Sequence, residues 1–190
     1  VVDDVTVHDN TRNGIQILKD STDCVVQNSE SFDNGIDGEG ASDTHLGHGI
    51  LIASGASNNI VRNNDLHDNA EDAVQFGPDS GSGNLIQNNE MYNNREDGVD
   101  IKAGSQHLDA NLVYGNTNNA VLVHQKAQTI TLTDNNLKTV TGANALDVIN
   151  NSNVISSGNR YEGVNSYTVE HSSSGSSTFT NDTFIDGGLN

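Results

Sequence analysis

Five carboxylates stand out by their spacing. Glu71-Asp72 and Glu96-Asp97 are acid pairs 25 residues apart by subtraction, and Asp100 follows the second pair closely. Lys102 lies just beyond Asp100. Acids packed this closely repel one another, so unless a cation sits among them some must keep their protons above the usual carboxylate range. Hard oxygen donors at this density suit Ca²⁺. Asp72, Glu96, Asp97 and Asp100 are therefore the expected metal ligands; the competing reading is a solvated face on a chain that is acidic throughout. Beside carboxylates Lys102 is held as an ammonium ion, whereas a bound divalent cation reverses that logic and frees it to act as a general base. The plainer alternative for Lys102 is a surface ion pair.

Histidines give weaker candidates. His45 and His48, with Asp43 near, form a His-x-x-His spacing that suits a transition metal or a general acid/base. Without further ligands the same spacing is what an ordinary loop contains. His124, with Lys126 close behind, is a further acid/base candidate. His8, His67, His107 and His171 read as surface residues. Phosphate-binding loops, Cys-x-x-Cys pairs and Gly-x-Ser-x-Gly elbows are absent.

The elements that must position these groups repeat. IVRNNDLHDNAEDAVQF (60–76) and LIQNNEMYNNREDGVDI (85–101) share one pattern. The equivalent Asn64, Asn89, Asn111, Asn135 and Asn159 are 25, 22, 24 and 24 residues apart by subtraction. Periods of this size indicate a solenoid. One set of short β runs is GIQI (14–17), GILI (49–52), AVQF (73–76), GVDI (98–101), AVLV (120–123) and ALDV (145–148), with apolar second and fourth residues facing inward. A second set is CVV, IVR, LIQ, ITL and VIS. A third centres on Phe32, Leu66, Met91, Val113, Leu137 and Tyr161. No stretch shows a helical period with caps. Three strands per repeat, separated by Asn/Gly/Asp turns, predict an all-β fold: a parallel β-helix of about seven coils with roughly 22–25 residues in each. The asparagine column predicts a ladder of stacked amides.

Stacking turns sequence columns into surface columns. The positions before the first strand set read Arg12-Asn13, Gly47-His48, Glu71-Asp72, Glu96-Asp97, Asn118-Asn119 and Ala143-Asn144, and the outward middle positions read Gln16, Leu51, Gln75, Asp100, Leu122 and Asp147. The five acids are thus expected on two neighbouring coils. The repeat is broken at Gly38–Gly47, an insertion expected to leave the solenoid as a loop. Coils are expected over 1–166, and a degenerate last coil or cap with a Ser/Gly-rich tail over 167–190.

Composition bounds the partners. Eight Lys+Arg against 26 Asp+Glu give a formal charge of −18, which disfavours nucleic acid and anionic membranes and suits cations. Apolar runs are too short to span a bilayer. The single Cys24 excludes an internal disulfide and reads as a small buried hydrophobe. The chain opens on Val1, without Met and almost directly in a strand pattern, as expected for a fragment or a processed domain.

Asn-rich coils ending in EDGVDIKAG resemble right-handed parallel β-helix proteins that act on acidic polysaccharides, and are locally most similar to the family 9 polysaccharide lyases. Those enzymes bind Ca²⁺ through an Asp on one coil and an Asp-Asp-Gly-x-Asp motif on the next. Asp72 matches the first, and Glu96, Asp97 and Asp100 match the second, with Glu96 standing for an Asp. The family's catalytic lysine follows on the next coil, where this chain reads Asn119-Ala120-Val121-Leu122, so Lys102 or Lys126 has to substitute. HDNTRNGIQI and FDNGIDGEG also resemble coils of mannuronan C5-epimerase modules, whose Asp-Pro-His-Glu motif would fall at Gln16–Lys19, here QILK. The resemblance implies an extracellular, monomeric, calcium-dependent lyase cleaving a uronate polysaccharide, pectate or alginate, by β-elimination. A C5-epimerase is the first alternative. A non-catalytic glycan-binding or adhesin module is the second, favoured by the absence of Trp and by only Tyr92 and Tyr114 lying near the acidic coils.

Overall fold

The computed structural model describes residues 1–35, 47–140, 142–163, 168–172 and 175–185. The insertion at Gly38–Gly47, apart from Gly47 itself, lies outside the described residues, and Asp43 and His45 lie there with it. Among the described residues the chain forms 21 strands and no helix. The strands stack coil upon coil into three parallel ladders. The first runs through Ile15–Ile17, Ile50–Ile52, Val74–Phe76, the start of Val99–Asp109, the start of Val121–Thr133, Leu146–Val148 and Val169–His171. The second runs from Val2–Asp3 through Ile60–Arg62 and Asn84–Gln87 to Ser177–Thr180. The third has eight strands, from Thr6–His8 to Thr183–Ile185, marking about seven turns of the solenoid. All three ladders continue beyond position 166.

Alternation explains the packing. Ile50 and Ile52, Val74 and Phe76, and Val99 and Ile101 are fully buried on successive coils of the first ladder. Each such side chain contributes about 1.5–3 kcal/mol on burial. The third ladder differs from the expected pattern at one strand. Ser31, not Phe32, is the inward residue in register with Leu66, while Phe32 pairs with His67 on the outside. A period of two makes a one-residue slip reverse a side chain's face. Turned outward, Phe32 joins a continuous stack of His8, Phe32, His67, Tyr92 and Tyr114, with ring centroids 4.9, 5.1, 4.8 and 5.2 Å apart. His67 is therefore a half-buried member of a ring column, not an isolated surface residue. Cys24 is half-buried against the core edge.

The Asn-Asn pairs divide their work. Asn63 and Asn88 take the left-handed turn conformation, at φ 54° each, which asparagine tolerates well. The following Asn64 and Asn89 point inward and begin the ladder. Along Asn64, Asn89, Asn111, Asn135 and Asn159, each amide nitrogen donates to the next side-chain oxygen at 3.0, 3.1, 2.9 and 2.8 Å. The same oxygens accept the backbone N–H of the coil before. Asn34, Asn69, Asn94 and Asn116 form a second amide ladder between other strands.

Candidate active site

A third column of this kind, at the entry to the first ladder, has different chemistry. Asn13 Oδ1 accepts the backbone N–H of His48 at 3.0 Å, and His48 Nδ1 that of Asp72 at 3.4 Å. Asp72 Oδ1 accepts the N–H of Asp97 at 2.9 Å, Asp97 Oδ1 that of Asn119 at 2.7 Å, and Asn119 Oδ1 that of Asn144 at 3.0 Å. The backbone role is the same at every coil. Asparagine fills it at both ends, while His48, Asp72 and Asp97 fill it in the middle. Gly98 follows Asp97 because a Cβ there would meet Val113 Cγ1 at 2.2 Å and the Ala120 carbonyl at 2.6 Å. The turn from Asp97 into the strand thus lies flat against the next coil.

Asp100 joins this column from the strand. It lies in register with Gln75 on one side and Leu122 on the other. Carboxylate oxygens of Asp72, Asp97 and Asp100 all lie within 4.8 Å of one another, and all three residues are buried. Both oxygens of Asp100 are engaged. Oδ1 is 2.8 Å from His124 Nε2, and Oδ2 is 3.0 Å from Lys102 Nζ. Lys102 sits where the register between its strand and the next one shifts, between Ile101 and Ala103. Such a bulge re-aims a side chain. The side chains of Lys102 and His124 are each 19 % exposed, forming the solvent-facing edge of the cluster.

His48 is placed otherwise than a loop histidine. It is wholly buried, with Nε2 3.1 Å from Glu71 Oε2 and Nδ1 3.2 Å from Asp72 Oδ2. Burial depresses its pKa to about 4, although the neighbouring Glu71 charge opposes the shift. Burial also raises Glu71 to about 7, with His48 opposing and the Glu96 charge adding. Burial, then the Asp72 charge, raises Asp97 to about 8, and Asp72 moves the same way through burial and the Asp100 charge. Burial keeps the His48 imidazole neutral at ordinary pH, so its approaches to Glu71 and Asp72 are not full ion pairs.

The sequence columns place Asp72, Asp97 and Asp100 together with Lys102 beyond them, as the structure does, and His124, read there only as a separate acid/base candidate, joins them through Asp100. Glu96 stands apart from the three-carboxylate group: it is half-buried at the rim, and it acts there through its charge. Lys126 is exposed and pairs in register with Ala103. Tyr92 and Tyr114 lie on the same coils but on the third ladder, away from this face. Gln75 escaped notice as a site residue, although its place beside Asp100 in the outward column was already legible. Its Nε2 lies 3.2 Å from Asp72 Oδ2 and 3.4 Å from Asp100 Oδ2.

The donor set is oxygen only. Three buried carboxylates, two of them standing where other coils use a neutral amide, form a site fitted to a hard divalent cation such as Ca²⁺. The raised pKa values of Asp72 and Asp97 express the same thing from the other side: without a positive charge near them, protons take its place.

Stacked parallel ladders with polar columns at the turns define a parallel β-helix solenoid that carries an acidic cluster on one face. The chain belongs to the right-handed beta helix region family, whose model matches residues 1–80 and 47–184. Comparison with curated protein sequences gives no match. Among solved structures the chain is similar to the A-module of mannuronan C-5 epimerase AlgE4 from Azotobacter vinelandii, with a TM-score of 0.74 at 18 % identity over 97 % of this chain and 53 % of that one. It is also similar to pectate lyase Pel9A (TM-score 0.65, 16 % identity, 97 % of this chain and 50 % of that one). A third likeness is to the periplasmic alginate epimerase AlgG (TM-score 0.63, 15 % identity, 96 % and 39 %). The chain spans about half the length of the first of these, or less of the others. At these identities the likeness concerns the fold.

Proposed function

We propose that this chain is part of an extracellular enzyme that acts on a uronate polysaccharide by removing the C5 proton, with β-elimination as its outcome. The observation that carries the reading is the replacement of neutral ladder amides by Asp72 and Asp97, joined by Asp100 within 4.8 Å. Buried carboxylates at ladder positions are costly to the fold without a ligand to bind them. The similar solved structures include a pectate lyase and two alginate-type epimerases, which is the substrate class the reading takes up.

Asp72, Asp97 and Asp100 would hold Ca²⁺, with Glu96 supplying further negative charge at the rim. The ion would supply neutralisation of a uronate carboxylate, which acidifies the C5 hydrogen. Lys102 is the proposed base. Its Nζ lies 3.0 Å from Asp100 Oδ2, and a cation held by the same carboxylates would disfavour a second positive charge there. His124, on the other oxygen of Asp100, is the second acid/base group. His48 has no exposed surface, so its proposed role is to position Asp72 and Glu71.

Incubation with polygalacturonate or alginate, with calcium and with a chelator, tests the reading through the ultraviolet absorbance of the unsaturated uronate product. A calcium-dependent rise is expected. Inversion at C5 without that rise, followed by NMR, would make the enzyme an epimerase sharing the same proton abstraction. Neither product from any polyuronate would leave a binding module.

A further inference from the structure

Resting on the cation site just proposed, we infer that Gln75 is a reversible ligand: its amide bridges the acids when the cation is absent and turns over to coordinate the cation when it is present. The strand column that carries it reads Gln16, Leu51, Gln75, Asp100, Leu122 and Asp147. Leucine serves at two of these outward positions, so the coil itself does not require an amide at 75. Gln75 is nevertheless 8 % exposed and buried against the cluster. Its Nε2 lies within 3.4 Å of one oxygen from each of Asp72 and Asp100.

Only one end of the amide can face that position at a time. A carboxyl oxygen that carries no proton accepts and never donates, so the oxygens of Asp72 and Asp100 that face Nε2 attract the NH₂ end and repel the carbonyl. A cation among the same oxygens has the opposite preference. Carbonyl oxygens of Asn and Gln are ordinary Ca²⁺ ligands, while an NH₂ group pointed at the ion is repelled. Rotation about the last side-chain torsion exchanges the two ends without moving the stem, and that torsion is broad and close to two-fold. A glutamate at this position would add a further carboxylate beside Asp72 and Asp100 and could not bridge them by donating. A leucine would neither bridge the acids nor bind the ion. Glutamine is the residue that serves both states.

The alternative is that Gln75 acts only as a stand-in for the cation, and the two ideas predict opposite signs. Calcium affinity of the intact chain, measured by calorimetric titration, is compared for the native chain, Gln75→Met and Gln75→Glu. Met preserves the volume of the stem and removes both donor and acceptor. A reversible ligand predicts that Gln75→Met weakens calcium binding about tenfold, the loss of one oxygen ligand at roughly 1.4 kcal/mol, and that Gln75→Glu tightens it. The side-chain amide NH₂ resonance of Gln75 is also expected to shift on titration of the native chain. Unchanged or tighter binding by Gln75→Met overturns the inference, because removal of a mere competitor does not weaken binding. Failure of the native chain to bind calcium overturns the cation site and this inference together. Native binding with an unaffected Gln75→Met overturns only the role of Gln75.

Discussion

Two polar columns of this solenoid do the same backbone work with different side chains. Along Asn64, Asn89, Asn111, Asn135 and Asn159 every coil uses an amide, which accepts from one neighbour and donates to the next. At the entry to the first ladder the column begins and ends with asparagine but runs through His48, Asp72 and Asp97. An ionised carboxylate caps the next coil's N–H as well as an amide oxygen does, yet it has no hydrogen to pass on. The amide column satisfies itself, whereas the acidic column can ionise only by burying negative charge. The first serves the fold alone, and in the proposed reading the second holds a place for a cation.

The largest effect is expected on turnover. Lys102→Met should lower product formation by about 10²–10⁴-fold, the usual scale for a lost general base, with calcium-dependent stabilisation retained. A variant of unchanged activity would take the base away from Lys102.

Disruption of the amide column should act on stability instead. Asn89→Ala removes the oxygen that accepts from Asn64 and the nitrogen that donates to Asn111 and to the Val61 carbonyl. Buried groups left without partners cost about 1–3 kcal/mol each, so denaturant unfolding should show a loss of about 3 kcal/mol. Calcium should stabilise what remains by its native increment. A loss below about 1 kcal/mol would mean that the column is not a structural spine.

Dependence on pH separates the columns more gently, because the amides do not titrate. Asp97 is raised to about 8 and Glu71 to about 7, chiefly by burial. Acids raised in the folded state bind more protons folded than unfolded, so their contribution is full below the unfolded pKa near 4 and is lost as pH rises toward 7 and 8. His48, depressed to about 4, works oppositely, losing stability as pH falls through the window from 6.5 to about 4. Between about pH 6.5 and 8 His48 no longer opposes the acids, and His67, held above its ordinary value against burial by hydrogen bonds to Asp68 and Glu30, acts in their direction. Cation-free stability should therefore fall across that window, and calcium affinity should rise as protons leave the site. A flat stability profile there, shared with an Asp72→Asn/Asp97→Asn variant, would mean that the acids titrate normally.

Much of this arrangement was legible in the sequence, because a solenoid converts spacing into position. The period located Asp72, Asp97 and Asp100 on adjacent coils, and strand alternation placed Asp100 outward beside Gln75. What escaped were features that the period does not carry. Ser31 occupies a core position that an apolar residue usually fills, so Phe32 was set one residue out of register and the ring stack it joins went unseen. His48 follows an insertion and reads as part of a loop, although it stands in its column between Asn13 and Asp72. The demotion of Glu96 to the rim follows from alternation at the turn: with Asp97 pointing in, its neighbour faces out.

The central claim is that acids at ladder positions exist to hold a cation, and thermal unfolding with and without millimolar calcium tests it most directly. The native chain and the Asp72→Asn/Asp97→Asn variant, which restores an amide at both coils, are compared. Calcium is predicted to raise the melting temperature of the native chain only. The variant is predicted to be the more stable of the two without calcium, by about 1–2 kcal/mol, as expected where a site is held against the preference of the fold. Equal calcium responses from the two proteins, or a cation-free variant less stable than the native chain, would contradict the account.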